Sequence, residues 1–353
     1  MKKEKNKKIV FTAQDPGGFN ALFKVIQKLK DDDHFSIKTI LANESRKKAE
    51  EEKIEFIDCT DFSIEYIENI LEEFEPDIVF SATSDGKSIE KIVTKWAKNN
   101  NVPVIAVIDF WSNYKLRFSN PGTLDLAYLP DKICVIDKYM KKEMLKDGFG
   151  EEKLVITGNP FFDTFEKTES KKGDYILFAS QPFSELDRND NKEEDKPFFN
   201  EVDVFSQIVE QLEKLKIDLP IKIALHPRSK KRNKYNNIIN NSSLKIEVAQ
   251  ENTENLIEKA GLVIGINTMV LFQAAITGNK VISYQPDINL NQDPLVSNHL
   301  KISYSAYSKE ALKKVLEDVL LKKGITSQNS GADNYLNKNF TDKVIEVIKS
   351  FLL

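Results

Sequence analysis

The segment from Leu262 to Pro286 constrains the fold of this chain more than any other stretch. It predicts a buried strand, a polar turn, an apolar helix and a second strand, with the strands at Leu262–Ile264 and Val281–Ile282 and the turn at Asn267 and Thr268. This order of elements is half of a nucleotide-binding α/β unit. The N-terminus of such a helix favours an anion, because its first N–H groups lack intrahelical partners and the helix dipole is positive there.

The same alternation of β-rich runs and amphipathic helices continues along the rest of the chain. Lys8 to Ala13 predicts a first strand, and Ser63 to Phe74 has the apolar spacing of a surface helix. Strands that alternate with helices predict parallel sheets with right-handed crossovers. We therefore predict an α/β fold of two Rossmann-like, doubly wound domains that face a cleft.

The length of 353 residues accommodates two such domains. Gly158-Asn159-Pro160 stops a strand and marks the predicted join. We predict an N-terminal, acceptor-side domain over residues 1–160 and a C-terminal, nucleotide-sugar-binding domain over residues 161–332. A final helix over 333–353 is expected to pack back on the N-terminal domain.

Composition excludes several classes of function. The net charge of −4 argues against a nucleic-acid partner. The two cysteines, Cys59 and Cys134, lie among apolar neighbours and are expected to be buried thiols. The three histidines are scattered, without the spacing of a metal site, so no metal and no cofactor are expected.

The chain is expected to be cytoplasmic. It contains no run of about 20 apolar residues, and a strand rather than an apolar signal core follows the basic N-terminus, Met1 to Lys8. This basic segment has two interpretations, a solvated tail or a peripheral contact with the anionic inner face of the membrane.

A second group of candidate site residues follows the apolar run Ile223–Leu225. His226 and Arg228 stand at its carboxyl end, the edge at which open α/β sheets bind ligands. Arginine offers planar donors to phosphate oxygens, so we predict that His226, Arg228, Asn267 and Thr268 bind phosphate. A structural histidine and an ordinary helix cap remain the alternatives.

Two further sets of residues follow predicted strands and complete the candidate sites. Ser283 and Tyr284 are predicted to line the donor site. Asp15, Gly17 and Gly18 lie in a turn that permits close approach of a ligand, with Asp15 as the candidate general base. A plain tight turn is the alternative, and the spacing does not match a dinucleotide fingerprint.

The loop after the run Val104–Ile108 has the composition of a sugar site. Aromatic rings stack on the C–H face of a sugar, and polar groups bind its hydroxyls. The candidate residues for the acceptor side are Asp109, Trp111, Asn113 and Tyr114. An ordinary structured loop explains the same composition. The run Ser81–Gly86 is either a helix cap or another wall of this site.

Several of these motifs resemble those of the GT-B glycosyltransferases and their relatives, which include sialyltransferases, polyglycerol-phosphate transferases and hydrolysing UDP-N-acetylglucosamine 2-epimerases. The motifs are Gly158-Asn159-Pro160 with Asp163, His226-Pro227, and Asn267-Thr268 with Ala274-Ala275 and Gly278. The resemblance implies that His226 and the Asn267-Thr268 turn contact the donor phosphate. Relatives usually carry a Glu near the position of Gln273, and this sequence has no acidic residue from Met269 to Gly278.

These observations together predict a metal-independent glycosyltransferase. It would move a sugar from a CMP-, CDP- or UDP-linked donor to a glycan or lipid-linked acceptor hydroxyl in surface polysaccharide synthesis. His226 and Asp15 are the candidate catalytic residues. A nucleotide-sugar 2-epimerase or hydrolase of the same fold and a non-catalytic nucleotide-sugar-binding protein are the alternatives.

Overall fold

The computed structural model describes residues 6–61, 63–167, 173–185, 199–226, 229–322, 329–336 and 338–352. Arg228 and most of the basic N-terminal segment therefore lie outside the described residues. So does most of the stretch 181–197, whose polar and acidic composition predicts a long loop. The chain divides into two compact units. The first unit comprises Met1–Phe165 and Asn337–Leu353, and the second comprises Glu166–Leu336.

The described part of the first unit has a parallel sheet of seven strands. In chain order these are β1 (Lys7–Ala13), β2 (Phe35–Leu41), β3 (Ile57–Asp58), β4 (Ile78–Ser81), β5 (Val104–Val107), β6 (Lys132–Val135) and β7 (Leu154–Ile156). Across the sheet the order is β3-β2-β1-β4-β5-β6-β7. The helices that follow the strands are α1 (Pro16–Lys30), α2 (Ser45–Glu51), α3 (Ile64–Phe74), α4 (Ile89–Asn99), α5 (Tyr114–Arg117) and α6 (Lys138–Lys146).

The described part of the second unit has a parallel sheet of six strands. They are β8 (Tyr175–Ala179), β9 (Ile221–Ala224), β10 (Ile246–Val248), β11 (Ala260–Gly265), β12 (Val281–Tyr284) and β13 (Tyr304–Ala306), in the order β10-β9-β8-β11-β12-β13. The helices of this unit are α7 (Glu201–Lys214), α8 (Asn236–Asn241), α9 (Thr253–Lys259), α10 (Met269–Thr277), α11 (Val296–His299) and α12 (Lys309–Leu320).

Each sheet is buried on both faces, which explains the nearly continuous apolar strands of the sequence. Along β1, Ile9 and Phe11 pack into the core on the α1 side, whereas Val10 packs into the core on the α3 and α4 side. This alternation follows from the two-residue period of a strand. The predicted fold class, two doubly wound α/β units, is confirmed. That the two units face a cleft stays a prediction.

The last helix, α13 (Phe340–Ser350), completes the core of the first unit. Val344 and Ile348 pack in the same apolar cluster as α1. The Asp163 carboxylate accepts hydrogen bonds from the N–H groups of Phe340 and Thr341, at 3.1 and 2.7 Å, and so caps the start of α13. The motif residue Asp163 therefore serves the first unit structurally.

Three details differ from the sequence-based expectations. The sequence pattern predicts a first helix from about Asn20, but α1 begins at Pro16, because proline is favoured in the first turn of a helix. Thr253 is the N-cap that the sequence predicts for the helix over 252–260, but the N-cap of α9 is Asn252, whose side chain accepts from the Asn255 N–H at 2.9 Å. Strand β13 was not predicted, because the short polar edge strand Tyr304–Ala306 lacks an apolar run.

Among the described residues, no helix has both the length and the apolar character to cross a bilayer.

Candidate functional site

Three neighbouring strands of the second unit bring the predicted phosphate-binding groups to one sheet edge. His226 follows β9, Gln181 follows β8 and Asn267 follows β11, and β8 lies between the other two strands. Adjacent strands are about 4.8 Å apart, so the ends of β9 and β11 are separated by roughly 10 Å. The sequence did not indicate Gln181, which stands two residues after a strand at the start of a polar segment.

Gln181 and Asn267 bind each other through two hydrogen bonds. The Gln181 Nε2 donates to Asn267 Oδ1 at 2.9 Å, and the Asn267 backbone N–H donates to Gln181 Oε1 at 3.1 Å. The pair fixes the orientation of the Asn267 side chain and directs its Nδ2 group away from Gln181. The Asn267 backbone N–H is engaged, so any ligand contact of this residue falls to its side-chain amide.

Thr268 is the N-cap residue of α10. Its backbone is extended, and its hydroxyl accepts from the Val270 N–H at 3.3 Å. The first turn of α10 contains no acidic residue, so no side-chain carboxylate of this turn competes for the positive helix end. The Leu271 N–H also donates to the Thr268 carbonyl at 3.0 Å, so among the described contacts of the first turn the Met269 N–H is the group left for a ligand.

His226 is half-buried and lines a cavity of about 210 Å³ at the ends of β9 and β10. The Ser229 N–H donates to the His226 carbonyl at 2.8 Å. The cavity is mainly polar, and its described lining residues are Ala224, Leu225, His226, Ser229, Arg232, Ala249, Gln250, Glu251 and Thr253.

A buried ion network holds the loop that follows His226. Lys234 Nζ lies 3.0 Å from Glu185 Oε1 and 2.6 Å from Glu201 Oε1, and the side chains of all three residues are at most 7% exposed. Glu185 also accepts from the Ser229 hydroxyl at 2.6 Å and the Lys230 N–H at 2.6 Å. Burial raises the pKa of Glu185, but the hydrogen bonds from Ser229 and Lys230 and the nearby Lys234 outweigh burial and lower it to about 2.

The structure buries the other predicted donor residues. The Ser283 hydroxyl donates to the Ile266 carbonyl at 2.6 Å, and the Tyr284 hydroxyl donates to Gln207. Both side chains are fully enclosed in the core of the second unit. Their positions at the end of β12 are as expected, but neither side chain reaches an open surface.

In the first unit, the turn after β1 packs tightly against the loops after β4 and β5. A Cβ atom on Gly17 would lie 2.3 Å from Asp109 Oδ2, and one on Gly18 would lie 2.8 Å from the Ala82 Cβ. Both positions therefore require glycine for close packing. Asp15 is the half-buried N-cap residue of α1, and its carboxylate makes no capping hydrogen bond to this helix.

Asp109 is held in place by Arg117. The Arg117 Nη1 donates to Asp109 Oδ1 at 2.9 Å and to the Thr83 carbonyl at 3.0 Å. The side chains of Arg117 and Asp109 are 10% and 19% exposed. This pairing orients Asp109 Oδ2 toward Gly17 and joins the loop after β5 to the loop after β4.

The remaining predicted acceptor-side residues occupy different environments. Trp111 is buried, stacks on Phe162 and donates from Nε1 to Asp137 at 3.0 Å. Tyr114 is also buried, and burial raises the pKa of its hydroxyl. Asn113 is partly exposed, and its Nδ2 donates to Asp85 Oδ2 at 2.8 Å. Asn113 is therefore better placed than Trp111 or Tyr114 to meet a ligand.

The two doubly wound units, with polar groups at the carboxyl ends of their strands, give the chain a GT-B type of fold. No family model matches the chain. The chain is similar over 99% of its length to a Listeria monocytogenes protein assigned as a UDP-N-acetylglucosamine 2-epimerase, with 97% of that protein covered, 16% identity and a TM-score of 0.73.

Other solved structures have the same architecture. The UDP-N-acetylglucosamine 2-epimerase of Neisseria meningitidis, bound to UDP-N-acetylglucosamine, matches 97% of this chain over 100% of its own, at 13% identity and a TM-score of 0.68. MurG of Acinetobacter baumannii matches 98% of this chain over 99% of its own, at 12% identity and a TM-score of 0.61. The predicted resemblance to the GT-B superfamily is thereby confirmed at the level of the fold.

Proposed function

We propose that this chain is a glycosyltransferase that moves a sugar from a nucleotide-activated donor to a hydroxyl of a glycan or lipid-linked acceptor. The observation that carries the proposal is the convergence of His226, Gln181 and the N-terminus of α10 on the ends of three adjacent strands. A phosphate placed over the end of β8, between β9 and β11, is within reach of groups from both sides.

The chemistry of this sheet edge suits a leaving phosphate. Negative charge develops as the bond between sugar and phosphate breaks. It is stabilised by the side chain of His226, the side-chain amide of Asn267 and the positive N-terminus of α10, where the Met269 N–H lies. The cavity beside His226 receives another part of the nucleotide. Because protein groups supply this stabilisation, the proposal does not require a metal ion, and transfer in the presence of EDTA should continue.

The first unit supplies the acceptor side. Asp15 accepts the proton of the acceptor hydroxyl, the hydroxyl oxygen attacks the anomeric carbon, and the nucleotide leaves with the electrons of the broken C–O bond. We assign the reaction to surface polysaccharide synthesis, in the cytoplasm at the inner face of the membrane. Solved structures of the same fold include a Staphylococcus aureus MnaA complex with UDP and the Neisseria enzyme with UDP-N-acetylglucosamine, which supports UDP as the first nucleotide to test.

Calorimetric titration of UDP, CDP and CMP tests the donor site. We expect one nucleotide to bind clearly better than the others, and His226→Ala to weaken its binding about tenfold or more, since a hydrogen bond to a charged group contributes roughly 1.5–3 kcal/mol. His34→Ala is the matched control, because His34 is 78% exposed and lies in the first unit. Equal affinities of the His226 variant and the wild type would remove this residue from the site.

A nucleotide-sugar 2-epimerase or hydrolase is the second candidate. The observation in its favour is the set of carboxylates, Asp15, Asp85 and Asp109, on three loops at one sheet edge of the first unit. Proton NMR of the protein with UDP-N-acetylglucosamine and no acceptor separates the two functions. Rapid formation of an epimer or of free sugar supports the second candidate, whereas the transferase requires an acceptor. Binding without turnover under either condition indicates a nucleotide-sugar-binding protein.

A further inference from the structure

Glu90 is a buried carboxyl that connects two loops of the first unit. It lies in the first turn of α4 and is 3% exposed. Its Oε1 accepts from the Gln14 N–H at 2.9 Å and from the Ser84 hydroxyl at 2.9 Å. Gln14 belongs to the turn after β1 and Ser84 to the loop after β4, so one oxygen atom joins the segments that carry Asp15 and Asp85.

A carboxyl at this buried position lowers the free energy of unfolding. Glu90 Oε2 is buried and has no hydrogen-bond partner among the described residues. An unsatisfied buried acceptor costs about 1–3 kcal/mol. Burial also raises the pKa of Glu90, against the hydrogen bonds to its carboxyl. An apolar side chain would avoid these costs but would leave the Gln14 N–H and the Ser84 hydroxyl without their acceptor, so the value of the carboxyl lies in the two groups that it binds.

The sequence around Glu90 resembles the end of a phosphate-binding loop. Gly86-Lys87-Ser88 precedes α4 directly after a strand and a turn, the context in which such loops hold phosphate, although Ser81 stands where their first glycine would be. Here the carboxyl of Glu90 accepts from the Ser84 hydroxyl of this loop and from the Gln14 N–H of the neighbouring turn. An internal carboxyl of the protein thus binds donors from this loop and from the turn after β1.

The next residue extends the same arrangement to a third loop. Lys91 Nζ donates to the Gly86 carbonyl at 2.7 Å and to the Leu116 carbonyl at 3.1 Å. Leu116 lies in α5, which follows β5 and also carries Arg117, the partner of Asp109. Two consecutive buried residues of α4 therefore hold the three loops at this sheet edge.

We propose that Glu90 is a positioning residue, whose carboxyl fixes the turn carrying Asp15 against the loop carrying Asp85. The consequence for turnover rests on the proposed function, in which Asp15 takes the acceptor proton. A displacement of about 1 Å at a reacting group lowers a rate by roughly 100-fold, so loss of this connection should lower kcat strongly.

Hydrogen exchange followed by mass spectrometry tests the positioning directly. In Glu90→Ala, amides of residues 13–19 and 82–88 should both exchange about tenfold faster, because two hydrogen bonds are lost. In Glu90→Gln, whose amide oxygen still accepts from Gln14 and Ser84, both segments should stay near the wild type. Glu72→Ala, an exposed position on α3, is the matched control. Unchanged exchange in the Glu90→Ala variant, or a change in one segment only, overturns the proposal.

A narrower variant covers the case in which Glu90→Ala does not fold. Ser84→Ala removes one of the two donors to Glu90. It should accelerate exchange in residues 82–88 while the Gln14 amide stays protected. Equal acceleration of the Gln14 amide and of residues 82–88 would contradict a connection through Glu90.

Nucleotide binding separates this inference from the proposed function. The Kd of UDP should be the same in Glu90→Ala and wild type within about twofold, because the groups that bind it lie in the second unit, while kcat falls. Loss of UDP binding in the variant argues against a role confined to the first unit. If the wild type itself binds no nucleotide, the proposed function fails, and the exchange result still decides the role of Glu90.

Discussion

Both units use buried carboxyl groups to hold their loops, but the charges around these carboxyl groups differ. In each unit, loops after neighbouring parallel strands must be held at the sheet edge, and a buried carboxyl accepts hydrogen bonds from two of them. In the second unit, Lys234 supplies the counter-charge to Glu185 and Glu201. In the first unit, Glu90 is bound by an N–H and a hydroxyl, and one of its oxygens has no described partner.

A carboxyl with a buried counter-ion and one without it are expected to depend on pH with opposite signs and to differ in the cost of their replacement. Removing one member of a compensated network leaves buried charge behind. Replacing the uncompensated Glu90 by a neutral isostere removes a charge that burial already disfavours. Both tryptophans, Trp96 and Trp111, lie in the first unit, so their fluorescence follows that unit while circular dichroism follows both.

The largest expected effect comes from Lys234→Met. It leaves Glu185 and Glu201 buried without their cation, and breaking such a network costs about 3–5 kcal/mol. In urea unfolding, the circular dichroism signal of the second unit should move to lower denaturant. The tryptophan transition should stay in place.

Lys231→Met controls for the loss of a lysine on the same loop. Its side chain is exposed, and its contact with Glu185 uses the backbone N–H, which the substitution keeps. If the two lysine variants are equally stable, the ion network does not stabilise the second unit.

Gly17→Ala is expected to destabilise the first unit, by less than Lys234→Met destabilises the second. The new methyl group would lie 2.3 Å from Asp109 Oδ2, so the turn after β1 or Asp109 has to move. Overpacking of this kind costs about 1–3 kcal/mol, and the tryptophan transition reports it.

A double-mutant cycle with Asp109→Ala identifies the cause. Gly17→Ala should cost less when Asp109 is absent, because the methyl group then has room. If Gly17→Ala lowers the free energy of unfolding equally in the wild type and in Asp109→Ala, the strain does not arise from Asp109.

The smallest expected effects are two pH dependences of opposite sign. The folded-state pKa of Glu185 is lowered to about 2 from an ordinary 4.5, so its stabilisation is complete above about pH 4.5 and is lost as the pH falls toward 2. The stability difference between wild type and Glu185→Gln should therefore shrink on acidification, by an amount on the order of 1 kcal/mol.

For Glu90 the sign is reversed. Burial raises its folded-state pKa above the ordinary 4.5, so its contribution is complete below about pH 4.5 and is lost as the pH rises through the raised value. Relative to wild type, Glu90→Gln should gain stability from about pH 4 to pH 7, measured by tryptophan fluorescence. Parallel pH dependences in the two glutamine variants would refute the contrast between the units.

The sequence was sufficient to predict the architecture and one sheet edge. The apolar strands and the order of elements around Leu262–Ile282 follow from hydrophobic period, and parallel strands necessarily end at the same edge, which brought His226 and Asn267 near each other. The residues that hold these groups, among them Gln181, Lys234 and Glu90, belong to no periodic pattern. Their roles depend on which loops meet in three dimensions.

The sequence also did not predict which aromatic side chains after the strands are buried. Trp111 and Tyr114 follow a strand, in the region where ligand-binding residues are common, yet both side chains turn into the core. Tyr284 does the same at the end of β12. A ring after a strand can pack under the loop or stand above it, and local sequence does not decide between these positions.

Because α13 packs on the first unit and is capped by Asp163, the first unit cannot complete its fold until the end of the chain has been synthesised. The first unit takes its final helix from Phe340–Ser350, which is synthesised after all of the second unit. During translation, the strands and helices of the first unit therefore lack part of their apolar cover until α13 is made, because Val344 and Ile348 pack in the same core cluster. The second unit starts later but is complete in sequence first, so its folding during synthesis can finish before that of the first unit.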